Sequence, residues 1–381
     1  MKNYTIPNLI FAALGVLVFF SCKKNSNELN LNLNPVTNLT SPTDGASINL
    51  ETSQSNEFIF SWQTTQAEDG GLVLYEVLFD KEGGDFSKPL YTYLSDGKGV
   101  QNHLTVSKAQ LDAIAALNGA APLGSTKLSW TVKASKGWNG VNATEHKFFT
   151  VNRMLPLPSE LSITGSGTEA GTNKIKMTRL SDGVFEVFAK VRAGDMAFIS
   201  QDNSQYSLQL SGTKLNIVGG ASPTGLSGAA EKVLWVRLDF GAKSGRIIEV
   251  KNMALFYPNQ NKTVFELPYI GNGIWRKNGQ PDFLSPAGWT SREERYKYVM
   301  LINDGAVDKA YYINSFMGDP GGQDGAYPSS LDYRAINLDK NQGDWDWGWK
   351  IDRNYITAGT VADYWVQMNS TEKYNQNYKK P

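Results

Sequence analysis

Residues 343–350 read Gly-Asp-Trp-Asp-Trp-Gly-Trp-Lys, with tryptophans at alternate positions. Side chains alternate between the two faces of a β-strand, so a strand here carries Trp345, Trp347 and Trp349 on one side. At about 3.3 Å per residue the three rings span roughly 13 Å, which is comparable with a short run of sugar rings. The segment therefore predicts either a carbohydrate platform or the core face of a β-sandwich, because aromatic side chains dominate protein cores.

The composition of the whole chain indicates a folded protein without a strong net charge. Hydrophobic residues make up 41% and aromatic residues 12% of the 381 residues, which is enough to fill the cores of two or three domains. Lys plus Arg and Asp plus Glu both total 37. This balance disfavours nucleic acid and anionic membrane surfaces as partners.

The N-terminus has the layout of a bacterial export signal. Lys2 precedes an apolar run that ends just before Cys22, the only cysteine in the chain. This arrangement resembles the lipobox of bacterial lipoproteins, in which the cysteine is acylated; the alternative is a plain secretory signal with an incidental cysteine. We therefore predict a signal peptide at residues 1–21, lipidation of Cys22 and a polar tether at residues 22–35. A lipidated Cys22 leaves no thiol for a disulfide or a metal site.

Residues 36–153 predict one all-β domain. Short alternating segments around Trp62 and Trp130 are typical of strands that are buried on one face. They resemble strands of a fibronectin type III or immunoglobulin-like sandwich. A helical period between Ser107 and Gly119 predicts one short helix within this domain.

The second half of the chain contains a weak repeat. The stretch from Ser181 to Phe185 resembles the stretch from Gly271 to Trp275, and residues 235–239 resemble residues 365–369. The order is the same in both, so we predict two β-sandwich modules, at residues 158–261 and 262–381. A single large sandwich that covers both halves is the alternative. The second module is longer by about 40 residues, and such insertions on a rigid scaffold often carry binding groups.

The order of these segments resembles a known family. A lipoprotein signal, an immunoglobulin-like domain and tandem β-sandwich modules are the architecture of the SusE and SusF outer-membrane glycan-binding lipoproteins of Bacteroidetes. The stretch Glu266 to Trp275 resembles a module opening, and Trp347 to Ile351 resembles the beginning of its close. The resemblance implies an N-terminal fibronectin III/immunoglobulin-like sandwich followed by two tandem carbohydrate-binding-module-like β-sandwiches. The same resemblance implies non-catalytic glycan capture and a SusC/SusD-like transporter complex as partner. It also implies an outer-membrane location facing the cell exterior, although Lys23 and Lys24 replace the acidic residues that favour surface export.

A sugar presents apolar C–H faces edged by hydroxyl groups, so its site needs aromatic surface beside polar side chains. The last module supplies both. The predicted ligand-binding residues are Trp289, Tyr327, Tyr333, Trp345, Trp347, Arg292, Asp344, Asp346 and Lys350. Asp319 and Asp324 offer a calcium site, but a Gly/Pro/Asp loop more often forms turns, so we predict no metal and no cofactor.

Motifs of catalysis are missing from the sequence. It has no Gly-x-Ser-x-Gly elbow, no His-Glu-x-x-His and no phosphate-binding glycine loop. We therefore predict a non-catalytic surface lipoprotein that binds a polysaccharide or oligosaccharide. An adhesin is one alternative, and a glycoside hydrolase is the other, since two carboxylates suffice for that chemistry.

Overall fold

The computed structural model describes residues 29–226, 228, 230–281, 293–318, 330–344 and 346–380. Strands dominate these residues, which confirms the all-β prediction. Contacts divide them into two units. The first comprises residues 29–46, 57–107 and 128–149, and the second comprises residues 47–56, 108–127 and the described residues from 150 onwards. No helix within the described residues has the length and apolar character needed to cross a membrane.

The described residues from 29 to 152 contain nine strands and one helix. They are β1 (Leu39–Ser41), β2 (Ala46–Asn49), β3 (Glu57–Trp62), β4 (Leu74–Lys81), β5 (Tyr91–Leu94), β6 (His103–Ser107), α1 (Lys108–Leu117), β7 (Ser125–Lys136), β8 (Asn139–Asn142) and β9 (Lys147–Asn152). Helix α1 confirms the helix predicted between Ser107 and Gly119. In the first unit β3 lies between β1 and β6, while β4 lies between β5 and β7.

Aromatic side chains fill the core of the first unit. The ring of Phe60 on β3 lies 5.0 Å from that of Phe79 and 5.2 Å from that of Trp130, both in edge-on contact. Trp62 is also buried, so both tryptophans on which the sandwich prediction depended are core residues. The strands form two packed sheets for the usual reason, because alternate apolar residues on each sheet must be covered.

The second unit contains the remaining elements. They are β10 (Leu161–Gly165), β11 (Gly171–Lys176), β12 (Thr178–Ser181), β13 (Val184–Val191), β14 (Gly194–Ser200), β15 (Gln205–Ser211), β16 (Lys214–Val218), β17 (Thr224–Leu226), β18 (Lys232–Asp239), β19 (Ser244–Tyr257), a 3-10 turn (Pro258–Gln260), β20 (Lys262–Leu267), β21 (Tyr269–Gly271), β22 (Ile274–Gly279), β23 (Arg295–Asn303), β24 (Asp308–Ser315), α2 (Leu331–Arg334), β25 (Ile336–Asn337), β26 (Trp349–Lys350), β27 (Ala362–Gln367) and β28 (Asn375–Lys379).

These strands show one topology twice. Strand β14 pairs with β10, β15 and β17, and β23 pairs in the same way with β19, β24 and β26. The order β12-β13-β18-β19 in one sheet has its counterpart in the order β21-β22-β27-β28. We call β10 through the start of β19 the first copy, and the rest of β19 through β28 the second copy.

Strand β19 belongs to both copies. Its residues 244–250 pair with β18 of the first copy, and its residues 253–257 pair with β20 of the second. The changeover between copies therefore lies inside a continuous strand, without a linker. The predicted module boundary at residues 261 and 262 falls later, at the hairpin that joins β19 to β20. The division of the chain into modules stays a prediction.

Equivalent hairpins fix the register of the two copies. Gly183 and Gly273 both have left-handed backbones (φ of 72° and 65°), as tight hairpin turns require. The carbonyl of Gly183 accepts a hydrogen bond from Phe240 N, and that of Gly273 accepts one from Met368 N. Counting from these turns, Arg237 and Trp365 occupy equivalent places. The sequence alignment of Trp235 with Trp365 is therefore displaced by two residues, a slip that keeps each side chain on the same face.

The core of the second copy extends onto the first copy. Phe188, Trp235 and Ile248 lie on the outer face of the first copy's sheet and belong to the second copy's buried cluster. The ring of Phe188 lies 5.5 Å from that of Trp275 in edge-on contact. The two copies thus share apolar surface as well as a strand.

Candidate functional site

The described residues of the segment 343–350 do not form one strand. Among them Trp349 and Lys350 form the short strand β26, in which Trp349 lies opposite Tyr296 of β23. Trp347 has a left-handed backbone with φ of 62°, which interrupts the alternation of side chains that a strand would impose. The expected row of three rings on one side is therefore wrong for Trp347 and Trp349.

Trp349 is a core residue. It is fully buried, and its indole Nε1 donates a hydrogen bond of 3.0 Å to the carbonyl of Tyr333. Tyr333 itself is only 5% exposed, and its hydroxyl oxygen accepts a hydrogen bond from Lys350 N at 3.3 Å. Tyr333 therefore contacts β26 through both its carbonyl and its hydroxyl group.

Trp347 lies half-buried at the surface of the second copy. Its carbonyl accepts a hydrogen bond of 2.8 Å from Ser315 N, at the end of β24. The ammonium group of Lys340 lies 4.4 Å from the centre of its ring. A Cβ added to Gly318 would come within 3.3 Å of the ring, so glycine permits this close approach. These contacts hold the indole in place.

The exposed carboxylate of Asp344 lies near a buried lysine, Lys297. Lys297 is fully buried, and its ammonium donates a hydrogen bond of 2.9 Å to the carbonyl of Gln342. A carboxylate oxygen of Asp344 lies 3.6 Å from the same nitrogen. Burial lowers the pKa of Lys297, and the charges of Asp344 and Asp346 oppose that change. Both aspartates are exposed, so each is accessible to a ligand as well.

Four predicted site residues lie outside the described residues: Trp289, Arg292, Tyr327 and Trp345. Asp319 and Asp324, the calcium alternative, also lie outside them. Among the residues that the structure describes, no group of three or more His, Cys, Asp or Glu side chains is placed to hold a metal ion.

A recess of about 370 Å³ lies between the two copies. We call it the inter-copy cleft. Its lining residues from the first copy are Leu180, Ser181, Glu186, Trp235, Arg237 and Arg246, and those from the second copy are Tyr311, Phe316, Ile336, Asn337, Leu338, Asp339 and Tyr374. Three of these side chains, on Glu186, Arg237 and Arg246, form a row across adjacent strands because they are direct partners in the sheet register.

Buried polar groups form the floor of the cleft. Glu186 is 2% exposed, and burial raises the pKa of its carboxyl group despite the opposing Trp235 indole and the Arg237 charge. Trp235 Nε1 and Tyr374 Oη are buried and lack a hydrogen-bond partner among the described residues. Both lie close enough to Glu186 to oppose the rise in the pKa of its carboxyl group.

Apolar groups form the walls and rim. The guanidinium of Arg246 lies 5.1 Å from the centre of the Trp235 ring, and the Tyr311 ring meets the same indole edge-on at 5.3 Å. Phe316 is 52% exposed and Leu180 is 42% exposed. The cleft thus combines ring surface with hydrogen-bonding groups of both kinds.

This cleft was not among the features predicted from the sequence. One signal was present. Glu186 interrupts the apolar run from Val184 to Ala189. Both faces of such a strand are usually covered, so its one ionisable side chain before Lys190 is expected to be buried. The residues that complete the cleft come from the second copy, and only the fold brings them there.

Comparison with protein families gives one result. A model of the SusE outer membrane protein family matches residues 23–133. No curated protein matches the chain. The match supports a SusE-like protein at the outer membrane, and it ends before both copies, so it includes neither Trp347 nor the inter-copy cleft.

Proposed function

We propose that this protein is a non-catalytic outer-membrane lipoprotein that binds a polysaccharide or oligosaccharide and retains it beside a SusC/SusD-like importer. Acyl chains on Cys22 attach it to the membrane, and the polar tether at residues 22–35 separates the folded part from the bilayer. The SusE family match supports the location. The second copy supplies the binding groups.

One observation carries the binding proposal. Trp347 is half-buried within the insertion of the second copy, with exposed carboxylates on its sequence neighbours Asp344 and Asp346. An indole receives the C–H face of a sugar, and carboxylate or ammonium groups beside it bind the hydroxyl groups. The ammonium of Lys340 is already placed over the ring.

The other predicted residues extend this site. Trp289, Arg292, Tyr327 and Trp345 belong to the same insertion in sequence, and we propose that they contribute further ring surface and donors. Lys350 follows Trp349 at the base of the site, and Tyr333 positions it through the backbone contact described above.

Affinity electrophoresis tests the proposal. The protein without its first 22 residues is run through gels that contain a broad panel of polysaccharides, and at least one should retard it. Trp347→Ala and Trp289→Ala should each reduce the retardation by about tenfold in affinity, the loss expected when a ring contact of roughly 1.4 kcal/mol is removed. Trp138→Ala is the matched control, because Trp138 is 83% exposed and lies in the first unit.

Two outcomes would contradict the proposal. Release of reducing sugar from the panel identifies a glycoside hydrolase. A complete lack of retardation, together with binding to cells or proteins that is independent of glycans, identifies an adhesin.

A further inference from the structure

Three large apolar side chains of the first unit are exposed. Trp138 is 83% exposed, Leu72 is 65% exposed and Leu29 is 63% exposed. We call these three side chains the apolar tip. A single exposed apolar residue is ordinary on a protein surface, whereas several that lie together mark a contact surface. Their relative positions therefore decide whether the apolar tip has a role.

Trp138 and Leu72 lie at the same end of the sheet. Trp138 belongs to the turn between β7 and β8, and β4 pairs with β7 below this turn. Leu72 follows Gly71, where an added Cβ would lie 3.0 Å from Lys136 Cε at the base of the turn. The segment that leads into β4 therefore passes beside the hairpin that carries Trp138.

The first described residues of the chain are bound to the same hairpin. Asn139 Nδ2 donates a hydrogen bond of 2.8 Å to the carbonyl of Leu31. Lys136 Nζ donates one of 2.6 Å to the carbonyl of Asn30. These bonds hold the backbone just after Leu29 against the hairpin. All three side chains of the apolar tip are thus at one end of the first unit.

This end is also close to the predicted lipid anchor along the chain. Leu29 follows Cys22 by seven residues. An extended chain spans about 3.5 Å per residue, so the two residues are at most about 25 Å apart. A connection of this length gives effective concentrations on the order of millimolar, at which even a weak contact with the bilayer is populated. The tether allows the first unit to reach the bilayer and to leave it again.

We propose that the apolar tip is a membrane-contacting surface, which inserts Trp138, Leu72 and Leu29 into the interfacial layer of the bilayer that holds the lipid anchor. This inference rests on the proposed function for the acylation of Cys22, and it does not depend on glycan binding. Tryptophan is enriched at membrane–water interfaces because its ring is apolar and its N–H is polar. The contact gives the first unit a defined orientation on the membrane.

Apolar insertion, and not attraction to anionic lipid, drives this contact. Lys136 forms an ion pair with Asp69, and Lys133 lies 3.9 Å from Glu76. Glu68 adds a further negative charge. The charges near the apolar tip therefore give no net positive field that would attract an anionic surface. We expect the contact to form on uncharged membranes and to change little with salt concentration.

The test couples the protein to vesicles through Cys22. The chain from residue 22 onwards has one thiol, which reacts with a maleimide-headgroup lipid in phosphatidylcholine vesicles, made with or without bromine on the acyl chains. Bromine quenches indole fluorescence at short range only. Brominated vesicles should lower the emission of the parent by roughly a tenth, because Trp138 is one of ten tryptophans. Trp138→Ala should show no such loss.

Two further variants test the placement of the apolar tip. Leu72→Asp replaces an apolar side chain with a charge, so it should weaken the contact and restore emission from Trp138. In the double variant Trp138→Ala with Lys88→Trp, the new indole lies beyond Lys81, at the opposite end of β4 from Leu72. Bromine should not quench it. All three positions are exposed, so the melting temperatures in solution should match that of the parent.

The outcomes separate this inference from glycan binding. Equal emission changes in the parent and in Trp138→Ala would overturn it, as would quenching of the indole introduced by Lys88→Trp, because no defined face would then meet the lipid. An unmodified Cys22 in protein taken from its membrane, read by mass spectrometry, would overturn it together with the proposed anchor. Gels that contain polysaccharide but no membrane should retard Trp138→Ala as they retard the parent. Retardation without lipid contact rejects this inference and leaves glycan binding intact.

Discussion

The two copies have the same strand order, but the outer faces of their sheets differ in what covers them. In the first copy the outer face of the sheet β12-β13-β18-β19 is partly covered by the core of the second copy. In the second copy the corresponding face carries Arg276, which is exposed and bound to Asp363. The third residue after the turn glycine is thus Glu186 in one copy and Arg276 in the other, and only the former is buried.

This difference shows how a repeated fold acquires distinct surfaces. The register is the same, since Glu186 lies opposite Arg237 and Arg276 lies opposite Trp365. What differs is the presence of a neighbour. Where the next copy covers the face, a row of polar side chains becomes the floor of a cleft. In the second copy, no further copy among the described residues covers this face. There the guanidinium of Arg276 lies over the Trp365 ring, 5.6 Å from its centre.

The largest effect is expected at the equivalent core positions Phe185 and Trp275, both almost fully buried. Phe185→Ala and Trp275→Ala should each lower the free energy of unfolding by about 3–5 kcal/mol, because each leaves a large cavity. Since β19 runs through both copies, we expect both variants to shift the same peak in differential scanning calorimetry. Phe185→Leu is the milder control. Two separate peaks, each moved by one variant alone, would show that the copies unfold independently.

The turn glycines provide a matched pair with a smaller effect. Gly183→Ala should cost about 1–2 kcal/mol, because alanine is strained in a left-handed backbone. Gly273→Ala should cost more, since its Cβ would also lie 2.3 Å from the carbonyl oxygen of Met368, whereas at Gly183 the nearest atom is a flexible leucine methyl at 3.2 Å. Thermal unfolding of both variants gives the comparison. Equal losses would contradict the close packing at Gly273.

Much of this fold follows from local patterns. Alternation around Phe58 to Trp62 and the helical period before Gly119 both predicted the elements that are present. The repeat was also visible in the sequence, because its turns recur with the same chemistry. Its register was displaced by two residues, since a tryptophan that happens to occur in both β18 and β27 guided the alignment, and a period of two leaves the face unchanged.

The candidate site was harder to predict from the sequence. Alternation of tryptophans predicted a strand at residues 343–350, but the left-handed backbone of Trp347 depends on tertiary contacts with Ser315 and Gly318. The cleft depends on residues about 130 positions apart, such as Glu186 and Phe316, and no local pattern brings them together. Burial of Trp235 was foreseeable, whereas its place beside a recess was not.

The smallest effects are expected at the polar positions that distinguish the copies. Burial raises the pKa of Glu186, and the facing groups Arg237, Arg246 and Tyr374 do not reverse that change. A raised folded-state pKa gives stability that is fully present below the unfolded value and is lost as pH rises through the folded value. Glu186→Gln stays uncharged, so it should become more stable than the parent as pH rises through that range, as measured by melting temperature. The matched variant Arg276→Gln removes an exposed ion pair and should change stability by less than about 1 kcal/mol. A melting temperature of Glu186→Gln that follows the parent at every pH would show that the first copy's polar row is as well solvated as the second copy's.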